Sequence, residues 1–139
     1  MFTPVSMRSA NTYRAVDIES SVLGSNPHQL IGLMFSTLLQ SLSKARTAIQ
    51  NRDTTTKVRT IGHSLRLLEE GLKGSLDTNR GGELARNLAN LYDYCVLRIT
   101  EANARNDAGM IDEVIALITP VADGWSEIKN VPAVQAHQG

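Results

Sequence analysis

A chain of 139 residues with 42% hydrophobic and 20% charged residues has the size and balance of one globular domain, able to bury about 68–70% of the surface its unfolded form exposes. Fourteen Lys and Arg against fourteen Asp and Glu exclude a strong field for nucleic acid or an anionic membrane. The lone Cys95 excludes an intramolecular disulfide and fits a reducing compartment.

In chain order, "MFTPVSMRSANTYRAVDIES" holds no apolar stretch of signal-peptide length. No apolar run elsewhere approaches a membrane span, so the expectation is a cytoplasmic protein without membrane insertion. Residues 1–12 carry no periodicity. The first helix is predicted to open at "SNPHQLIGLMF", where Asn26 can cap, Pro27 suits the first helical position and Gln29 completes a capping-box pattern. Ile31, Phe35, Leu38, Leu42, Ala45 and Ile49 then recur on one helical face. "NRDTTT" ends it, its threonines favouring a break and a new cap. A second helix is predicted from about Thr55 to Leu76, with Val58, Ile61, Leu65, Leu68, Leu72 and Leu76 as its stripe.

"DTNRGG" reads as a turn, and a third helix follows from about Gly82 to Arg105. The fourth begins near Asp107, a good cap, with the stripe Ile111, Val114, Ile118, Val121, Trp125 and Ile128. Pro120 lies inside that stripe and predicts a kink, because it removes a helical hydrogen bond. "VPAVQAHQG" has no periodicity and reads as a mobile tail. With no strand signal, the fold class is all-α: an antiparallel four-helix bundle in a single domain over residues 1–130, with a flexible tail at 131–139.

Two helices carry more small or apolar surface than one seam needs. On the third, Leu84, Leu88, Leu91 and Cys95 occupy the middle of one face, and Ala85, Ala89, Tyr92 and Val96 widen it to an arc of roughly 160° against the ~100° of a surface helix. On the second, Thr60, Ser64, Leu67, Gly71 and Gly74 fall at intervals of four, three, four and three on the side away from the leucine stripe. Glycine inside a helix costs roughly 0.5–1 kcal/mol relative to alanine, so two of them on one side imply the close approach of another backbone. That backbone belongs either to a neighbouring helix or to a partner chain laid into an external groove.

Catalytic chemistry is hard to assemble. His28, His63 and His137 have no ligand-like spacing to one another or to Cys95, no glycine-rich loop follows a strand, and Gly81–Gly82 reads as turn chemistry. No metal or cofactor is expected. One sharper pattern is "GHSLRLL": His63 on a bundle helix with Arg66 three residues on looks like the histidine phosphotransfer domains. In those, a lysine and a small residue follow the histidine; here Arg66 and Leu67 stand there, and the leucine would crowd a phosphoryl group.

Five stretches taken together, "SNPHQLI", "GLKGSLD", "GGELARNLANLYDY", "EANARND" and the Glu113–Val114 pair followed by Trp125, are collinear from Tyr13 to Ile128 with one family. The chain resembles the flagellar export chaperones that bind flagellin, FliS. The resemblance implies a non-enzymatic, cytoplasmic helical bundle with a short N-terminal segment packed on it. Its client would be the disordered C-terminal segment of flagellin, held in hydrophobic grooves, kept from premature polymerisation and passed to the flagellar export apparatus. Tyr13 matches the family's N-terminal tyrosine, which lies over part of that surface. Ser36 and Thr37 replace the acidic residue and glycine that often follow the first-helix aromatic, and Pro120 is unusual. The expected client-binding set is Tyr13, Thr60, Ser64, Leu67, Gly71, Gly74, Ala85, Ala89, Tyr92 and Val96. A homodimer through the small-residue strip, as a plain structural bundle, is the remaining reading.

Overall fold

A computed structural model describes residues 26–128. Tyr13, the N-terminal segment and the tail at 131–139 lie outside the described residues. The chain divides into two compact units, Met1–Ile31 and Gly32–Gly139; the first contributes only the opening of one helix to the described residues, and the bundle belongs to the second.

Among the described residues four helices appear and no strand. Helix α1 is Pro27–Gln50, α2 begins as Thr54–Arg66, α3 is Thr78–Arg105 and α4 is Ala108–Ile128. Each start is chemically marked, because the first amides of a helix have no intrahelical acceptor and a short polar side chain reaches them. Asn26 Oδ1 accepts from the Gln29 amide at 3.1 Å. Asp53, and not the threonines after it, caps α2, accepting from the Thr56 amide at 3.1 Å. Asp77 accepts from the Asn79 and Arg80 amides, both at 3.1 Å. Asp107 accepts from Gly109 at 2.9 Å and from Met110 at 3.4 Å.

Two places depart from plain α-helix, and a third carries a proline inside one. After Arg66, α2 widens into a π-helical turn over Leu67–Leu72 and then tightens into a 3₁₀ turn over Lys73–Ser75; the periodicity predicts neither. Helix α3 starts with a single turn that breaks at Gly82, whose φ of 59° and ψ of −135° only glycine adopts readily. A Cβ on Gly81 would stand 2.7 Å from that of Ala85, so both glycines are required. In α4 the helix runs on through Pro120. Pro120 and Ala116, whose carbonyl loses its donor to the ring, both face solvent, so water can replace the missing amide. The Thr119 hydroxyl meanwhile donates to the Ile115 carbonyl at 2.7 Å.

Cross-helix contacts give the topology. The Ser41 hydroxyl meets the Thr60 carbonyl at 2.9 Å, while Met34 faces Gly71: one index falls as the other rises, so α1 and α2 are antiparallel. Lys57 reaches Asn103 and Asn106, and Lys73 reaches Asp93, which makes α2 and α3 antiparallel. Arg46 with Asp112 and Gly32 with Trp125 do the same for α1 and α4. The result is an up-down-up-down bundle. Its core is Leu38, Leu42 and Ala45 of α1, Ile61, Leu68 and Leu72 of α2, Cys95, Ile99 and Ala102 of α3, and Ile111, Val114 and Ile118 of α4. Each large aliphatic side chain there contributes about 1.5–3 kcal/mol.

Candidate functional site

The small-residue strip of α2 faces inward. Thr60, Ser64 and Leu67 are buried. The hydroxyls of Thr60 and Ser64 turn back onto their own helix, to the Thr56 carbonyl at 2.8 Å and the Thr60 carbonyl at 2.9 Å. A Cβ on Gly71 would lie 2.6 Å from Met34 Sδ. What the strip accommodates is therefore α1, through the Met34 side chain at Gly71 and the Ser41 hydroxyl at the Thr60 carbonyl. Only Gly74 at its end is exposed, beside Ser75, whose hydroxyl donates to the Gly71 carbonyl at 2.6 Å.

The wide arc of α3 exists, but its surplus lies on the other edge. Ala85 and Tyr92, expected at the outer margin, are buried, and Ala89 and Val96 are half-buried. Burial, with Cys95 beside it, pushes the Tyr92 phenol up to about 12. Leu84, expected in the middle of the face, is 68% exposed, and Leu88 and Leu91 are half-buried. The buried side of α3 is thus rotated toward Tyr92, and Leu84 stands in the first turn after the break at Gly82. Tyr94 and Leu97, 42% and 59% exposed, continue the apolar surface toward solvent.

One charged cluster closes this surface. Tyr94 Oη donates to Glu113 Oε2 at 2.6 Å, and Arg98 Nε donates to Glu113 Oε1 at 2.8 Å. Arg98 also pairs with Glu101 at 3.0 Å. The hydrogen bonds from Tyr94 and Arg98 hold the Glu113 carboxyl below its ordinary range, and the same bonds raise the Tyr94 phenol and the Arg98 guanidinium. Following the antiparallel register away from this cluster brings Leu91 level with residues near Leu117, and Leu88 level with residues near Val121, both half-buried on α4. Leu84, Leu88 and Leu91 are thus partly open apolar side chains on α3, ahead of the polar cluster Tyr94–Glu113–Arg98. The helical period puts these leucines in the middle of one face; nothing in one helix's pattern says which edge its neighbours leave uncovered.

Chemistry of other kinds has little to stand on. His63 is half-buried, and burial first, then Arg66 and Lys44, lowers its pKa. Leu67, expected to crowd it, is buried in the core instead. Cys95 is a free, buried thiol pushed up to about 11 by burial and by Glu113. Among the described residues no group of three His, Cys, Asp or Glu is placed to hold a metal ion, and no helix is long and apolar enough to cross a membrane.

Comparison with known proteins supplies the context for a helical bundle with exposed apolar residues on α3. The family model described as flagellar protein FliS matches residues 9–132. The flagellar secretion chaperone FliS of Salmonella typhimurium is 39% identical over 116 residues, covering 84% of this chain and 86% of its own. The flagellar secretion chaperone FliSB of Pseudomonas aeruginosa is 40% identical over 89% of this chain and 98% of its own. The flagellar secretion chaperone FliS of Bacillus subtilis is 31% identical over 87% and 88%. Matched along nearly its whole length, the chain belongs to the FliS family, whose members are chaperones and not enzymes.

Proposed function

We propose that this chain is a cytoplasmic export chaperone for flagellin. It holds the disordered C-terminal segment of its client in apolar grooves, prevents premature polymerisation and hands the client to the flagellar export apparatus. The relatives named as flagellar secretion chaperones support the export role. The observation that carries the binding mode is the exposed apolar surface of α3: Leu84, Tyr94 and Leu97 are large, apolar and open in a bundle whose other large aliphatic side chains are, Val58 aside, at least half-covered. Ordering a disordered segment costs about 2–5 kcal/mol or more, and apolar area of this kind offsets it.

Within the expected client-binding set, Gly74, Ala89 and Val96 are accessible enough to touch a client directly. Thr60, Ser64, Leu67, Gly71, Ala85 and Tyr92 act by shaping the helices behind that surface, and Tyr13 is proposed as the N-terminal residue that lies over it. The test is titration with the isolated C-terminal segment of flagellin from the same organism. Saturable binding, a negative heat-capacity change and a gain in helicity are expected, and Leu84→Asp weakens binding about tenfold or more without lowering Tm. Undiminished binding by Leu84→Asp and Leu91→Asp together would move the client elsewhere, and no binding by the intact chain would end the reading. An uncovered apolar surface also suits a second copy of the chain, and sedimentation with and without client checks for that homodimer.

A further inference from the structure

The surface between α1 and α2 is polar, in contrast to the partly open Leu84, Leu88 and Leu91 on α3. A cleft of about 160 Å³ there is lined by Thr37, Gln40, Lys44, Arg59 and His63, among others, and by no acid. Arg66 stands close enough to this group to act on His63, as Lys44 does. On α2 the sequence positions 59, 63 and 66 recur at four and three residues, so these basic side chains share one side of the helix. Five ion pairs tie basic groups to carboxylates elsewhere in the described residues, and none of them includes Lys44, Arg59 or Arg66. Asp53 does sense Arg59, but its carboxylate is engaged in capping α2.

Like charges gathered without a carboxylate repel one another; His63 is held low by burial first, and Arg66 and Lys44 add to it. In a chain of zero formal charge this concentration is local and is not a by-product of a basic composition. We propose that the α1–α2 face docks an acidic segment of a protein partner, its carboxylates seated among Lys44, Arg59 and Arg66. Thr37 and Gln40 offer side-chain hydrogen-bonding groups for a peptide backbone beside those carboxylates. A nucleic acid fits less well, because the only ring in the cleft is the half-buried His63 imidazole and there are few charges to neutralise phosphates. A membrane fits less well too, because no apolar side chain lines the cleft. Since the face is formed by α1 and α2 and the exposed apolar residues Leu84, Tyr94 and Leu97 stand on α3, an acidic partner and an apolar client can be held together.

The test uses the full chain and a fluorescein-labelled peptide of alternating Glu and Ser. Saturable binding is expected, with amide shifts centred on Lys44, Arg59 and Arg66. Affinity falls by about tenfold or more in Lys44→Glu/Arg59→Glu and on raising salt to physiological strength. The Gln–Ser peptide does not bind, and Arg86→Glu, an exposed charge on α3, leaves binding unchanged. Should the double variant fold poorly, the shift map and the salt dependence of the unaltered chain decide the matter. Absence of saturable shifts on these residues overturns the proposal. So does tighter binding of an oligothymidylate of the same charge, which would make the face a phosphate reader.

Discussion

Two connections at the same end of the bundle stop one helix and start the next within three residues. "NRD" at 51–53 joins α1 to α2, and "RND" at 105–107 joins α3 to α4. Both end the first helix with a left-handed residue whose successor donates back five residues: the Asp53 amide to the Ala48 carbonyl at 2.8 Å, and the Asp107 amide to the Ala102 carbonyl at 3.0 Å. Both then use that aspartate to cap the next helix. They differ in the left-handed position, which holds Arg52 at φ 57° in one and Asn106 at φ 52° in the other. Asparagine tolerates that region; arginine, with no local hydrogen bond to compensate, does so less well. Asn106 is also used twice, since its Oδ1 accepts from Lys57 Nζ at 2.6 Å and so ties the start of α2 to the end of α3. One turn is optimised, and the other merely permitted.

Breaking or repairing the left-handed residues sharpens this contrast. The largest effect is expected at the third such position in the bundle: Gly82→Ala forces an alanine into a conformation that costs about 1–3 kcal/mol, read as a lower denaturant midpoint at constant slope. Next comes Asn106→Ala, which loses both the tolerant side chain and the Lys57 bond and costs about 1–2 kcal/mol; Asn106→Gly keeps the conformation, so the difference between the two isolates the backbone part. Asp107→Ala removes the cap of α4 at a cost of about 1 kcal/mol. Arg52→Gly has the opposite sign and gains about 0.5–1 kcal/mol. A loss of stability there would mean that the two turns are not equivalent after all.

The smallest effect is a dependence on pH. The side chain and amide of Thr56 hold the Asp53 carboxyl below its ordinary value. A depressed folded pKa means that this contribution is complete above the ordinary carboxylate range and is lost as pH falls through the folded value, below about pH 4. Asp53→Asn keeps a capping acceptor and removes the charge, so its Tm should fall slightly less steeply through that window than that of the parent.

Much of this architecture is legible in the residues. Asn26, Asp107 and the Gly81–Gly82 pair announce their turns because capping and left-handed backbone are local chemistry, settled within four residues. The stripes Ile61–Leu68–Leu72 and Ile111–Val114–Ile118 announce the core for the same reason that any sustained period does. What a helix meets on each side is not local. Thr60, Ser64 and Gly71 read equally well as an external groove or as a close helix seam, and the position of α1 decides for the seam. Leu84 reads as core by its period, yet it stands just after the break at Gly82 and is left exposed, while Tyr92 is buried. Val58 heads the α2 stripe yet is 57% exposed, because it stands in the first turns, near the end of the bundle. The cap of α2 is less legible for a smaller reason: Asp53 and the three threonines after it are all residue types that cap helices, and only the geometry selects the aspartate.

The buried thiol of Cys95 carries one more consequence. A group whose pKa stands near 11 and that no solvent reaches is almost wholly protonated at neutral pH, so it neither oxidises readily nor cross-links copies of the chain. Its reaction with a thiol reagent then waits on the parting of α3 from the rest of the core. Because it is the only cysteine, the labelling rate of the unmodified protein is a direct clock for how often the bundle opens, and whether a bound partner slows that clock can be read without introducing any probe.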